Sequence, residues 1–122
     1  MKQAVIYARS ASLNEDSIRT QIVLDKKFAA DNGYTVVRVF ADTNASGRSA
    51  ERPALQKLFE DTGSSWDTVI VLDRSRFFRE PHFYIKYMLK LNFAGKRIIS
   101  CIERLTISYD RRKMQRNDPC SN

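Results

Sequence analysis

Thr68-Val69-Ile70-Val71-Leu72 is an unbroken apolar run, followed at once by the polar stretch Asp73-Arg74-Ser75-Arg76-Phe77-Phe78-Arg79-Glu80. A run this short, with no in–out alternation, suits a strand covered on both faces. Such strands belong to mostly parallel sheets with helices on either side. Working outward, similar strand-like runs occur at residues 4–7 (Ala-Val-Ile-Tyr), 35–40 (Thr-Val-Val-Arg-Val-Phe) and 97–102 (Arg-Ile-Ile-Ser-Cys-Ile). Between them lie helical patterns. Residues 17–31 carry Ile18, Ile22, Leu24, Phe28 and Ala29, and Asn32-Gly33 supplies a C-terminal stop. Residues 53–60 open on Pro53, suited to a first helical turn, and set Leu55, Leu58 and Phe59 inward. Residues 81–92 open on Pro81 and carry Ile85, Met88, Leu89 and Leu91, with Gly95 ending the connection. The order β-α-β-α-β-α-β predicts an α/β domain of three layers, a mostly parallel sheet flanked by helices. Functional residues then gather at the C-terminal ends of the strands. The domain is expected over residues 1–107, with 108–122 a basic tail or the start of a linker helix.

The chain's 122 residues suffice for one domain with its own core. Lys and Arg number 21 against 14 Asp and Glu, a formal charge of +7 that points to a polyanionic partner, nucleic acid before membrane. No apolar run reaches spanning length, and Ala4-Val5-Ile6-Tyr7 is too short for a signal peptide, so a cytoplasmic location is expected. Cys101 sits in an apolar run and reads as a buried thiol. With Cys120 it offers neither a disulfide scaffold nor metal spacing. His82 is the sole histidine, which excludes a histidine-rich metal site. No glycine-rich loop ends in Gly-Lys-Ser or Gly-Lys-Thr, which speaks against an ATPase.

Three polar loops follow strands: Tyr7 to Ser12, Asp42 to Arg48 with Arg52-Pro53, and Leu72 to Glu80. In an α/β domain they converge on one sheet edge, bringing together Arg9, Arg48, Arg52, Arg74, Arg76 and Arg79 with hydroxyls nearby. Such a cluster repels itself, and an anion relieves that cost. Guanidinium groups present paired donors to phosphate oxygens and stabilise charge there during phosphoryl transfer. The plainer alternative is a set of surface arginines paired with neighbouring acids.

Taken in order, these pieces resemble the resolvase/invertase family of serine site-specific recombinases. The matching blocks are Tyr7-Ala8-Arg9, Ser17-Ile18-Arg19-Thr20-Gln21, Asn32-Gly33-Tyr34, Asp42 with Ser46-Gly47, Glu51-Arg52-Pro53-Ala54-Leu55 and Arg76-Phe77-Phe78-Arg79. Gly95 and Glu103 fall where the family often has a turn and a strand-end carboxylate. The likeness covers about residues 3–105, and the phrase ending at Gln21 is closer to the large serine recombinases. The resemblance implies a resolvase-like fold and DNA strand exchange through a transient 5′-phosphoserine link. It implies double-stranded DNA as partner, self-association to a dimer or tetramer in the full-length context, a prokaryotic or mobile-element origin, and no metal or nucleotide cofactor. Arg9, Arg52, Arg76 and Arg79 match the phosphate-holding arginines, Asp42 a site-organising acid and Gln21 a helix glutamine. Tyr7, Ser46, Arg48 and Arg74 complete the expected DNA-binding set. Most of the family's long linker helix, and its attached DNA-binding domain, are not among these residues, so this stretch alone is expected to bind DNA weakly and with little sequence choice.

The family pattern Tyr-Ala-Arg-x-Ser is broken here, because the nucleophile's position holds Ala11. A methyl group cannot attack phosphorus. Ser10 and Ser12 flank it, and neighbouring side chains of an extended segment point to opposite sides. Two expectations stand: a substitute serine cleaves, or the domain persists as a non-cleaving DNA-binding or oligomerising unit. Ser75 is a second departure, standing where many members have aspartate; Asp73 lies two residues earlier.

Overall fold

The computed structural model describes residues 2–10, 15–43, 52–61, 63–77, 81–102 and 105–107. The elements are β1 (Lys2–Arg9), α1 (Glu15–Asp31), β2 (Tyr34–Asp42), α2 (Pro53–Glu60), β3 (Thr68–Val71), α3 (Arg74–Phe77), α4 (Pro81–Phe93), β4 (Arg97–Ser100) and β5 (Leu105–Ile107). They form one sheet in the order β2-β1-β3-β4-β5. The first four strands are parallel, and β5 runs antiparallel to β4. This is a three-layer α/β fold with a mostly parallel sheet, as the sequence predicts.

Strand β1 decides which helix lies on which face. Ala4 and Ile6 point to one side, where they pack with Ile70, Ala29 and the partly buried Ile22 and Phe28 of α1. Val5 and Tyr7 point to the other, into a larger cluster with Phe40, Leu55, Leu58, Phe59, Val69, Val71, Phe77, Tyr84 and Leu91. Both faces being dry explains why the apolar runs are continuous. Gly33 and Gly95 end α1 and α4 at φ of 78° and 80°, left-handed conformations that favour a residue without Cβ.

One irregularity in β2 positions the site. Its pairing with β1 slips between Ala4, opposite Val36, and Val5, opposite Arg38, so Val37 is an extra residue. Tyr34 and Val36 pack on the α1 side. Beyond the slip, Phe40 lies in the cluster on the opposite side. Side chains alternate along a strand, so an inserted residue reverses the face of everything after it. Asp42, two residues after Phe40, is thereby turned toward Tyr7 and α2.

Several sequence expectations need correction. The one-turn helix α3 and the strand β5 were not anticipated; both are too short to leave a periodic pattern. Residues 101 and 102 form a turn rather than the end of the 97–102 strand. On α1 the buried positions run through Ile18, Gln21, Asp25 and Ala29, which leaves Leu24 44% exposed. On α4 the inward side chains are Tyr84 and Leu91, with Phe83, Tyr87 and Met88 packed beside them, whereas Ile85 is exposed. Among the described residues no helix is long and apolar enough to cross a membrane.

Leu58 is fully buried, so Leu58→Ala is expected to cost about 2–5 kcal/mol in urea unfolding. A chain lacking Val37 should keep Phe40 opposite Tyr7 and Asp42 opposite Arg9, because the deletion removes only the unpaired residue; its loss in urea unfolding is therefore expected to be smaller than that of Leu58→Ala.

Candidate functional site

The strand order reverses between β1 and β3, whose chains leave the sheet toward helices on opposite faces. A crevice at that point is where open α/β sheets place their ligands. Arg9 ends β1, and the segment Leu72–Phe77 follows β3.

The backbone of Arg9 is clasped from α1. Arg9 N donates to Gln21 Oε1 at 3.1 Å, and Gln21 Nε2 donates to Arg9 O at 2.9 Å. Ser17, one turn earlier, accepts from Gln21 Nε2 at 3.2 Å. The guanidinium of Arg9 reaches α3: Nε donates to Arg76 O at 3.3 Å and Nη2 to Ser75 O at 2.9 Å. Arg52 Nη1 donates to Arg76 O at 3.3 Å, to Phe77 O, and to Tyr7 Oη at 3.4 Å. Arg76 Nη1 donates back to Arg9 O at 3.3 Å. Three arginines from three segments thus form one hydrogen-bonded unit. A four-residue helix leaves its final carbonyls without intrahelical partners, and the two buried guanidinium groups supply the donors.

Two carboxylates offset the charge. Asp42 Oδ2 accepts from Tyr7 Oη at 2.8 Å and Leu55 N at 3.1 Å, and Oδ1 accepts from Ala54 N at 2.9 Å. Helix α2 has Arg52 at its N-cap position without a side-chain cap bond. Asp42 does that work from the neighbouring strand, where its negative charge also favours the helix N-terminus. Asp73 Oδ1 accepts from Ser75 N at 3.0 Å and from Ser75 Oγ, and Oδ2 pairs with Arg76 Nε at 3.5 Å. Asp73 therefore supplies the acid beside Arg76 that the sequence left in question at Ser75. Burial, opposed in part by Arg52, holds the Tyr7 phenol well above its ordinary value, so it is a neutral donor to Asp42.

Exposure divides the cluster. Arg9 and Arg52 are 3% and 0% exposed, while the side chain of Arg76 is 28% exposed. Ser10 is buried, with its N–H donating to Asp42 O at 3.0 Å. The guanidinium carbon of Arg74 lies 5.4 Å from the ring centre of Tyr84 on α4. Of the expected site residues, the structure gathers Tyr7, Arg9, Ser10, Gln21, Asp42, Arg52 and Arg76. Ala11, Ser12, Ser46, Arg48 and Arg79 lie outside the described residues. Sequence reading passed over Asp25, which is fully buried one turn beyond Gln21. The available signal was a pair of polar residues, at 21 and 25, on the stripe that α1 turns inward.

A parallel α/β domain that collects buried arginines at its switch point is the class that fold and site define. Within that class the chain belongs to the family described as the resolvase N-terminal domain, whose profile matches residues 4–117. The chain is similar to the N-terminal catalytic domain of TP901-1 integrase, at 28% identity over 93% of this chain and 88% of that one, with a TM-score of 0.84. It is similar to the C-terminal catalytic domain of ISC1926 TnpA, an IS607-like serine recombinase, at 33% identity over 81% of this chain and 68% of that one, with a TM-score of 0.74. A resolvase family site-specific recombinase from Streptococcus pneumoniae shares the fold at 23% identity, 99% and 86% coverage and a TM-score of 0.79. The integrase likeness is consistent with the large-recombinase branch suggested by Ser17 to Gln21. No curated protein matches the chain at a significant level.

Asp42→Ala strips acceptors from two helix N–H groups and from Tyr7, and is expected to cost roughly 3 kcal/mol. Tyr7→Phe removes one donor and should cost about 1 kcal/mol. Urea denaturation of both variants checks the order.

Proposed function

We propose that this chain is a serine-recombinase domain that acts on double-stranded DNA, its arginine cluster receiving a backbone phosphodiester during strand exchange. The observation that carries this reading is the joining of Arg9, Arg52 and Arg76, drawn from three separate segments, at the sheet's switch point. The carbonyl oxygens of α3 take donors that phosphate oxygens would take, so engaging DNA involves exchanging some of these bonds. Arg76, the most exposed of the three, makes first contact. The family resemblance assigns backbone contacts to Arg79, Arg48 and Ser46 as well, and Gln21 holds the end of β1 at Arg9.

Cleavage proceeds by attack of a serine oxygen on phosphorus, giving a 5′-phosphoserine and a free 3′-hydroxyl. The phosphodiester bond's energy is kept in that link, so rejoining needs no cofactor. With Ala11 at the family's nucleophile position, the attack falls to Ser12 or Ser10. The burial of Ser10 favours Ser12. A displaced hydroxyl reacts slowly, because near-attack placement matters at the ångström level. Ala11 also supports a second reading, in which the domain associates with DNA and with other copies without cleaving.

Trapping on a nicked double-stranded substrate, followed by peptide mapping, separates the two. The first reading expects a weak adduct at Ser12 or Ser10, and Ala11→Ser should raise its yield by on the order of 10²-fold or more. No adduct in the native chain, with one restored by Ala11→Ser, establishes the second reading. Arg76→Ala should weaken duplex binding and lower the salt slope by about one, whereas Lys90→Ala should change neither. An unchanged slope in Arg76→Ala would remove the phosphate-site claim itself.

A further inference from the structure

Asp25 is a fully buried carboxyl on α1 that none of the interactions above uses. Its Oδ1 accepts from Cys101 Sγ at 3.1 Å. Among the described residues its Oδ2 has no hydrogen-bond partner. Helix α1 packs against β1 and β2 through Ala4, Ile6, Tyr34 and Val36, which offer it no charge. The charged and titratable groups that act on Asp25 are Cys101 from the turn after β4, and Asp73 and Arg76 from the segment after β3. That segment is stapled to the same turn, for Cys101 N donates to Val71 O at 2.9 Å and Ile102 N to Leu72 O at 3.0 Å. Asp25 thus lies behind the root of the loop that carries the Asp73–Arg76 pair, bonded to the turn that holds it.

We infer that Asp25 is a positioning residue for Arg76, its protonation state setting how much positive charge the Asp73–Arg76 pair presents to a DNA phosphodiester. The inference rests on the phosphate-site reading above. Neutral, Asp25 leaves Arg76 with Asp73 alone. Ionised, it adds a second negative charge behind the loop that carries Arg76, which acts on the guanidinium against the incoming phosphate. Burial is the main cause that pushes the carboxyl up to about 7, opposed by the thiol bond and reinforced by Asp73, so the change falls near neutrality. Burial and the Asp25 carboxyl together hold the Cys101 thiol well above its ordinary range, so it serves as a neutral donor and not as a nucleophile.

The test follows the Arg76 Nε–H resonance and duplex-DNA affinity between pH 5.5 and 8.5, in a His82→Gln background that removes the lone histidine. DNA phosphodiesters keep their charge throughout. The Arg76 resonance should move with a midpoint near pH 7, and affinity should fall several-fold as pH rises through it. Asp25→Asn should abolish both changes and keep the low-pH affinity. Cys101→Ala removes a bond that favours the carboxylate and should move the midpoint upward. Stability gives an independent sign. A carboxyl raised from its unfolded value of 3.8 to about 7 contributes stability fully below the lower value and loses it as pH rises through the upper. The urea midpoint should therefore fall across that window in the native chain and stay flat in Asp25→Asn. An Arg76 resonance indifferent to Asp25→Asn overturns the inference whatever DNA does. A resonance that follows Asp25 while Arg76→Ala binds DNA normally supports the positioning and sinks the phosphate-site reading alone.

Discussion

Like charges brought together at a sheet edge repel, and most of this structure's unusual features answer that repulsion. Arg9 and Arg52 are removed from water almost completely, and a desolvated guanidinium is costly unless its donors are met. The carbonyls of α3 and the Tyr7 hydroxyl meet several of them. In return, a four-residue helix, far below the length at which a helix stands alone, gains partners for its exposed carbonyls. Neither arrangement is stable without the other. Their mutual dependence fixes the end of β1 relative to the end of β3, and with it the crevice between them.

The same logic accounts for Asp42. Its carboxylate serves a helix N-terminus, a phenol and a cluster of cations at once. It does so because the edge strand leaves the extra residue Val37 unpaired; with Val37 paired, Phe40 and Asp42 would face α1. An edge strand tolerates such an insertion because only one of its sides is paired. The bulge lies several residues from Asp42 yet decides which layer receives the charge. In this fold, electrostatics at the site are set by strand register upstream.

Much of this was legible in the sequence, for identifiable reasons. The parallel sheet showed in the apolar runs around Val69 to Val71 and Val5 to Tyr7, because double-sided burial removes alternation. The ends of α1 and α4 showed in Gly33 and Gly95. The convergence of Arg9, Arg52 and Arg76 followed from topology once the strand ends were placed. Other features were hidden. Helix α3 has one turn, so no period marks it. Arg52's burial was invisible because an arginine reads as surface unless its partners are known, and here they are backbone carbonyls without sequence identity. The inward face of α1 was misjudged by a few tens of degrees. Leu24 drew the stripe toward itself, whereas tertiary packing chose Gln21 and Asp25.

That last point bears on what the arginines themselves mean. A buried guanidinium that satisfies three backbone carbonyl and hydroxyl acceptors is required by the fold, whether or not any bond in DNA is broken. Removing Arg52 takes the donor from Phe77 O and one of the two donors from Arg76 O. Arg9 is tied to both α1 and α3 in the same way. The presence of these arginines therefore speaks for an intact anion site and says little about turnover. On the proposed reading, turnover depends on one oxygen placed in line with phosphorus, and Ala11 carries none. On the proposed reading, recognition of the backbone and cleavage of it are separable, because Arg9, Arg52 and Arg76 are held by Gln21, Tyr7, Asp73 and the carbonyls of α3. On that reading, a serine at 10 or 12 gains the chemistry only to the extent that its oxygen reaches the attacking position that the family gives to residue 11.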